Sequence, residues 1–316
     1  MNIFILEPIG QRSYLLFDTM EATFRQQGHE FVSSAATAEV CFFDLWNGYG
    51  EYYETDVDAV IKAGMPVVVW DFFDQWGDAT HRPNWWGFDD CKKLHEKAAK
   101  GERWARILEL MLSFNPLKVS FTRKLSSSWE YPSWVKPIDC CLYPDHDFAP
   151  ATLSELMSRT NDFCWIGNSS PWRATAICDL VQRFGQEGID RQFTYDRIPH
   201  AEWLDRHRNA RMFIEADGGG YGSERPFQLG TIAPMLKIRN DMRSYAPWTD
   251  GVNCIEVGQP DGHISEHEVT GLIDLLRDSP RLYQIYRNGI DHLHQHYSPT
   301  ARAEYVLNTM AEAGLK

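Results

Sequence analysis

The apolar positions of this chain fall into short, nearly continuous runs separated by stretches with helical spacing. Runs at 3–6, 40–43 and 67–70 predict strands, and 118–121 and 140–143 are expected to complete a first sheet. After the first run, Leu16, Met20 and Phe24 share one helical face, and Gly28 ends that helix. A polar break follows at 144–150. The second half then restarts the alternation, with strands predicted at 163–166, 192–195, 212–215, 235–238 and 254–257. Ser265-Glu266-His267-Glu268 reads as a capping box, with Val269, Leu272, Ile273 and Leu276 on one face after it. Pro280 is expected to close that helix. Two further helices follow, the last opening at Ser298-Pro299. Strands that are apolar throughout, alternating with helices, indicate parallel sheets buried on both faces.

The chain therefore reads as α/β, with two Rossmann-like parallel-sheet domains facing a central cleft. Its 316 residues suit about two domains at roughly 150 residues each. The expected division is 1–146 and 147–316, with the last helix packing back on the N-terminal domain. In open parallel sheets, ligands sit beyond the carboxyl ends of the strands. Gly10, Asp44 and Asp71 of the first half occupy such positions, and so do two glycine-bearing junctions of the second half.

The denser junction is Gly218-Gly219-Gly220-Tyr221-Gly222-Ser223-Glu224-Arg225-Pro226-Phe227-Gln228, preceded by the apolar run Met212-Phe213-Ile214. Strand, glycine-rich turn and helix in that order let backbone N–H groups approach a phosphate, with the helix N-terminus adding partial positive charge. Pro226 suits a first helical turn. The spacing alone also fits an ordinary loop, because it is neither G-x-G-x-x-G nor followed by Gly-Lys-Ser/Thr. The second junction runs from Ile166 through Gly167, Asn168 and Ser169 to Arg173.

Net charge is −13, unfavourable for binding along a polyanion, where Lys and Arg must meet phosphates. No apolar run approaches the ~20 residues of a membrane span. The N-terminus enters a strand with no basic leader, so a cytoplasmic protein without a signal peptide is expected. Seven cysteines without C-x-x-C spacing are read as reduced thiols, with Cys140 and Cys141 on opposite faces of a strand. Of His292, His294 and His296, the first and last would share a helix face, and no metal site is assigned. Twelve Trp concentrate in part within 46–53 and 70–86. Core packing accounts for some of these aromatics, and Trp46, Tyr49 and Trp85 are candidates to stack on an acceptor sugar or base.

From residue 162 to the C-terminus the chain resembles the C-terminal domain of GT-B glycosyltransferases. The match is best to the spore-maturation (CgeB-like) branch near the group 1 enzymes. The residues that carry the resemblance are Ile166-Gly167-Asn168 through Arg173, then Ser223-Glu224-Arg225-Pro226-Phe227-Gln228 before a small-residue helix, and His296-Tyr297-Ser298-Pro299-Thr300-Ala301-Arg302-Ala303 near the end. The first half matches only in layout. The resemblance implies a nucleotide-diphosphate sugar, UDP-sugar favoured, in the second half and the acceptor in the first. Gln228 stands where the family commonly has a Glu that binds the donor ribose. Gly220 stands where the group 1 pattern has another Glu.

Departure of a nucleoside diphosphate builds negative charge. N–H groups at Gly222 and Ser223, with Arg225 or Arg173, would stabilise it without a metal or other cofactor. An inverting transferase also needs a base for the acceptor hydroxyl. Asp44, Asp71 and Asp74 lie at or near strand ends and are the candidates, although each also fits a loop cap. A retaining enzyme needs no such base. The leading expectation is transfer of a sugar to a hydroxyl acceptor: a glycan, a glycoconjugate, a small metabolite or a modified base. A phage-type enzyme acting on hydroxymethylated pyrimidines in DNA is one alternative, with nucleic acid as acceptor. A non-catalytic nucleotide-sugar-binding protein and a nucleotide-sugar epimerase are the others.

Overall fold

The computed structural model describes residues 1–7, 14–44, 52–71, 117–122, 133–167, 171–196, 198–216, 224–239, 244–259 and 263–315. Side chains at 14–19, 71, 117–118, 122, 171–176 and 179 are outside that description. The chain divides into two compact units. The first comprises Met1–Asp139, residues 242–245 and Pro299–Lys316, and the second Cys140–Asp241 and Ala246–Ser298. Residues 144–150 thus belong to the second unit.

In the first unit, β1 (Asn2–Leu6), α1 (Tyr14–Gln26), β2 (Glu30–Val32), β3 (Val40–Asp44), α2 (Glu54–Ala63), β4 (Val67–Asp71), β5 (Leu117–Thr122) and β6 (Val135–Pro137) form a six-stranded sheet ordered β2-β1-β3-β4-β5-β6. Every pairing is parallel. All five residues of β3 are buried, as a strand covered on both faces requires. Gly64 ends α2 in the left-handed region at φ 60°, its N–H reaching the carbonyls of Val60 and Ile61, a role that favours a residue without Cβ.

The second unit holds α3 (Leu153–Met157), β7 (Asn161–Ile166), α4 (Pro171–Gln186), β8 (Arg191–Thr194), α5 (His200–Arg208), β9 (Ala210–Glu215), α6 (Arg225–Leu229), β10 (Met235–Ile238), β11 (Ile255–Val257), α7 (Glu266–Arg277) and α8 (Ser279–Tyr297). Its sheet is ordered β11-β10-β9-β7-β8, again all parallel. Alternate strand residues face opposite sides. Phe163 and Trp165 of β7 join Ile177, Leu180 and Phe184 of α4, with the Phe163 and Phe184 rings stacked at 4.3 Å. Cys164 and Ile166 face Trp203 of α5. The final helix, α9 (Pro299–Glu312), belongs to the first unit. There its Arg302 is fully buried with the guanidinium 5.5 Å from the Trp70 ring centroid, and Tyr305 donates to the Pro137 carbonyl at 2.8 Å.

Two expectations need correction. The sixth strand of the first sheet is Val135–Pro137, not 140–143. Cys140, Cys141 and Leu142 are all buried, but Leu142 N–H bonds the Tyr297 carbonyl rather than a strand neighbour. Their apolarity reflects packing, not pairing, and the two cysteines do not divide between the faces of a strand. Pro280 does not close α7. That helix ends at Arg277, and Pro280 stands in the first turn of α8, where Asp278 accepts from Arg281 N–H. The capping box forms, with Ser265 Oγ and Glu268 bonding each other's backbone N–H.

Candidate functional site

Both sheets change direction next to their first strand. In the second unit β7 lies between β8 and β9, so successive crossovers depart to opposite sides. The crevice beyond the carboxyl ends of β7 and β9 is the topological switch point, where doubly wound sheets take their ligands. Gly167 leaves β7 there, and its N–H bonds the Thr194 carbonyl at the end of β8. The 16-residue α4 begins four residues later. Helix α6 has only five residues and no side-chain cap on its first turn. The full macrodipole at this edge therefore belongs to α4, and α6 contributes first-turn N–H groups.

Arg225 opens α6 and reaches back to β7. Its Nη2 donates to the Ile166 carbonyl at 2.8 Å, and its guanidinium carbon lies 5.1 Å from the Trp165 ring centroid. A Cβ on Gly167 would fall 2.0 Å from that Nη2, so only glycine lets the guanidinium lie against this turn. Trp203 Nε1 shares the Ile166 carbonyl at 3.4 Å. Behind it, His207 is buried and hydrogen-bonded through Nδ1 to the Trp203 carbonyl at 2.7 Å. Burial, reinforced by the Arg225 charge, pushes His207 down to about 4, so it is neutral at pH 7. Burial pushes the Cys164 thiol up to about 12, which leaves it inert.

At the end of β8, Tyr195 is 40% exposed, its ring edge-on to Trp165 at 5.1 Å and its hydroxyl 3.7 Å from Cys178 Sγ. Gln228 is half-buried on α6, and His146 Nδ1 meets its carbonyl at 3.3 Å. His146 packs 5.3 Å from His200, which stacks on Trp203. Sequence reasoning missed Tyr195, Trp203 and His146. Only Tyr195 carried a legible signal, an aromatic at the end of the strand predicted at 192–195, which the structure places just past β8.

In the first unit Asp44 closes β3 beside β1, at that sheet's own switch point, and is fully buried. Its carbonyl accepts from the Tyr52 hydroxyl at 2.7 Å. Asp71 closes β4 and Arg173 lies in the first turn of α4, their side chains outside the description. Gly10, Trp46, Tyr49, Asp74, Trp85, Asn168, Gly222 and Ser223 lie outside the described residues. His292 and His296 share a face of α8, their rings 4.9 Å apart, while His294 pairs with Asp147 at 2.9 Å. Among the described residues no helix is long and apolar enough to cross a membrane.

The fold and the strand-end site define the class: two parallel-sheet α/β domains with the GT-B fold. Solved structures similar to it include glycosyltransferases. An alpha-glucosyltransferase in complex with UDP-glucose and DNA containing an abasic site superimposes with a TM-score of 0.54 at 11% identity, covering 97% of this chain and 98% of that one. The same comparison with an alpha-glucosyltransferase bound to UDP and a 13-mer DNA gives 0.54 at 10% identity, covering 98% and 99%. Anabaena Alr3699/HepE in complex with UDP gives 0.55 at 11% identity, covering 99% and 100%. No protein-family model and no curated protein matches the chain.

Proposed function

We propose that this chain is a metal-independent glycosyltransferase that moves a sugar from a nucleotide-diphosphate sugar, UDP-sugar favoured, to a hydroxyl acceptor. Within the GT-B class we assign it to the CgeB-like branch, on the 223–228 pattern. One observation carries the reading: the Arg225 guanidinium lies against Gly167 at the switch point, joining the two junctions from which a diphosphate would be held. As the bond from the sugar to the diphosphate oxygen breaks, Arg225 and the N-terminal N–H groups of α4 meet the growing negative charge. Gln228 would hydrogen-bond the donor ribose without the charge a Glu would bring. In an inverting reaction Asp44, Asp71 or Asp74 would take the acceptor proton.

The test is a thermal-shift screen against UDP, GDP, ADP, CMP and their sugar conjugates, repeated on Arg225→Ala. A ligand at a hundredfold excess over its Kd stabilises by about 2.7 kcal/mol. Selective stabilisation by UDP, lost in Arg225→Ala, is the expected result. Stabilisation by none of them refutes the donor assignment. Binding without turnover on any hydroxyl acceptor would instead leave a nucleotide-sugar-binding protein.

A modified base in DNA is the second acceptor reading, supported by the fold neighbours solved with DNA. The net charge of −13 weighs against it. Transfer of label from UDP-glucose to hydroxymethylated DNA, compared with free glycans, separates the two.

A further inference from the structure

Isolated helices shorter than about 12 residues are marginal in water, so α6, with five residues, depends on its neighbours. One of them is the turn Pro144–His146 of the same unit. His146 Nδ1 meets the Gln228 carbonyl at 3.3 Å. A carbonyl only accepts, so Nδ1 carries the proton and satisfies one of the carbonyls that a helix end leaves open. The backbone is stitched at the same place: Thr231 Oγ1 donates to the His146 carbonyl at 2.8 Å and accepts from Phe148 N–H at 3.2 Å. Those two bonds do not titrate, whereas the ring does.

Charge gained by His146 arrives on its other ring nitrogen, in surroundings that oppose it. The His200 ring centroid lies 5.3 Å away, in a T-shaped arrangement. His200 opens α5 and stacks on Trp203 at 5.5 Å. Trp203 Nε1 in turn bonds the Ile166 carbonyl that Arg225 also uses. Arg208 of α5 acts on His146 with a further positive charge and Asp145 with a negative one. Asp147 is taken up by His294 at 2.9 Å, and Tyr143 and Phe148 present rings at 5.9 and 5.8 Å. Burial lowers His146 from its ordinary 6.5, and the charges of His200 and Arg208 add to this, against the Gln228 carbonyl and Asp145. The fold therefore favours the neutral ring: its contribution is complete above pH 6.5 and is lost as pH falls below that.

We propose that His146 is a positioning residue for α6, the helix that carries Arg225 and Gln228, and that the His146–His200 pair loosens this helix on acidification. The helix takes its task from the proposed donor site, on which the assignment rests, but the hold on it needs no ligand. Two like charges 5.3 Å apart shift an equilibrium by about fourfold even at the dielectric constant of water, and salt screens the effect.

Hydrogen–deuterium exchange of the full chain, read on residues 225–233 at about pH 7.5 and pH 5.5 and corrected for intrinsic rates, tests this without a donor. At low ionic strength, protection of that segment should fall about threefold or more on acidification, and by less at high salt. His200→Gln should remove most of that loss. It leaves the acid-sensitive His207 in place, so the difference from wild type reads the pair alone. His146→Ala should lower protection at both pH values, and His146→Gln, which keeps an N–H donor but cannot titrate, should restore most of it and abolish its pH dependence. UDP-glucose, whose diphosphate keeps its charge across this range, should bind the wild type more weakly at the lower pH and His200→Gln with little change. Equal wild-type protection at the two pH values, or an equal loss in His200→Gln, would overturn the role of the pair. Full protection of 225–233 in His146→Ala would overturn the positioning role. UDP-glucose affinity that ignores pH while protection changes would overturn the link to the donor. The expected exchange pattern with no UDP-glucose binding at either pH would uphold the hold on α6 and refute the donor reading instead.

Discussion

Replacing Gly167 by Ala adds one methyl group, and the structure says where it lands. The new Cβ would lie 2.0 Å from Arg225 Nη2, 3.2 Å from its Cζ and 3.3 Å from Trp165 Cζ2. The guanidinium is the mobile partner, so it must leave the Ile166 carbonyl. A hydrogen bond from a charged donor contributes about 1.5–3 kcal/mol, and the contact with the Trp165 ring about 0.5–1 kcal/mol more. Gly167→Ala should therefore cost roughly 2–4 kcal/mol in urea denaturation, and it should weaken UDP binding as Arg225→Ala does. The decisive measurement is the double-mutant cycle. With Arg225 already Ala, both of the closer contacts are gone and the nearest of those remaining is Trp165 Cζ2 at 3.3 Å. Gly167→Ala should then be near neutral, or stabilising by about 0.4–1 kcal/mol through the unfolded chain. Additive losses in the double variant would show that Gly167 and Arg225 act separately and would refute the reasoning.

His207 should make the protein acid-sensitive. Its folded value of about 4 lies below its ordinary 6.5, so its contribution is complete above pH 6.5 and is lost as pH falls toward 4, at up to about 1.4 kcal/mol per pH unit. Chemical denaturation at pH 7 and pH 5 should show a smaller difference in His207→Gln than in the wild type, and an equal difference would discount His207. A Cβ on Gly289 would sit 2.8 Å from the Asn253 backbone oxygen. Because backbone cannot swing aside as a side chain can, Gly289→Ala should lower stability by about 1–3 kcal/mol, and an unchanged denaturation midpoint would contradict that packing.

The central strands were legible because burial on both faces leaves almost no polar residue in them, as Val40-Cys41-Phe42-Phe43 illustrates. Edge strands lack that signature. The three-residue β2 has no buried position, and β8 lies one residue earlier than its apolar run suggested. The Cys140–Leu142 run misled because burial can come from a helix end instead of a neighbouring strand. At the candidate site, Gly167 and Arg225 were each visible as members of local patterns. Their collision distance was not, since it exists only once the fold brings Arg225 to the Ile166 carbonyl, 59 residues away in sequence. The Trp203 share of the same carbonyl was hidden for the same reason.

The placement of α9 bears on how the chain is made. Thr23 of α1 meets Thr300 at 3.4 Å, Tyr305 stacks with Tyr245 at 4.4 Å, and Arg302 covers Trp70. Trp70 of the first sheet therefore lacks its Arg302 contact until residues 299–312 have emerged, while the second unit, made later, has all its strands before them. Synthesis order and completion order are reversed, so the N-terminal half depends on the last helix for its closure.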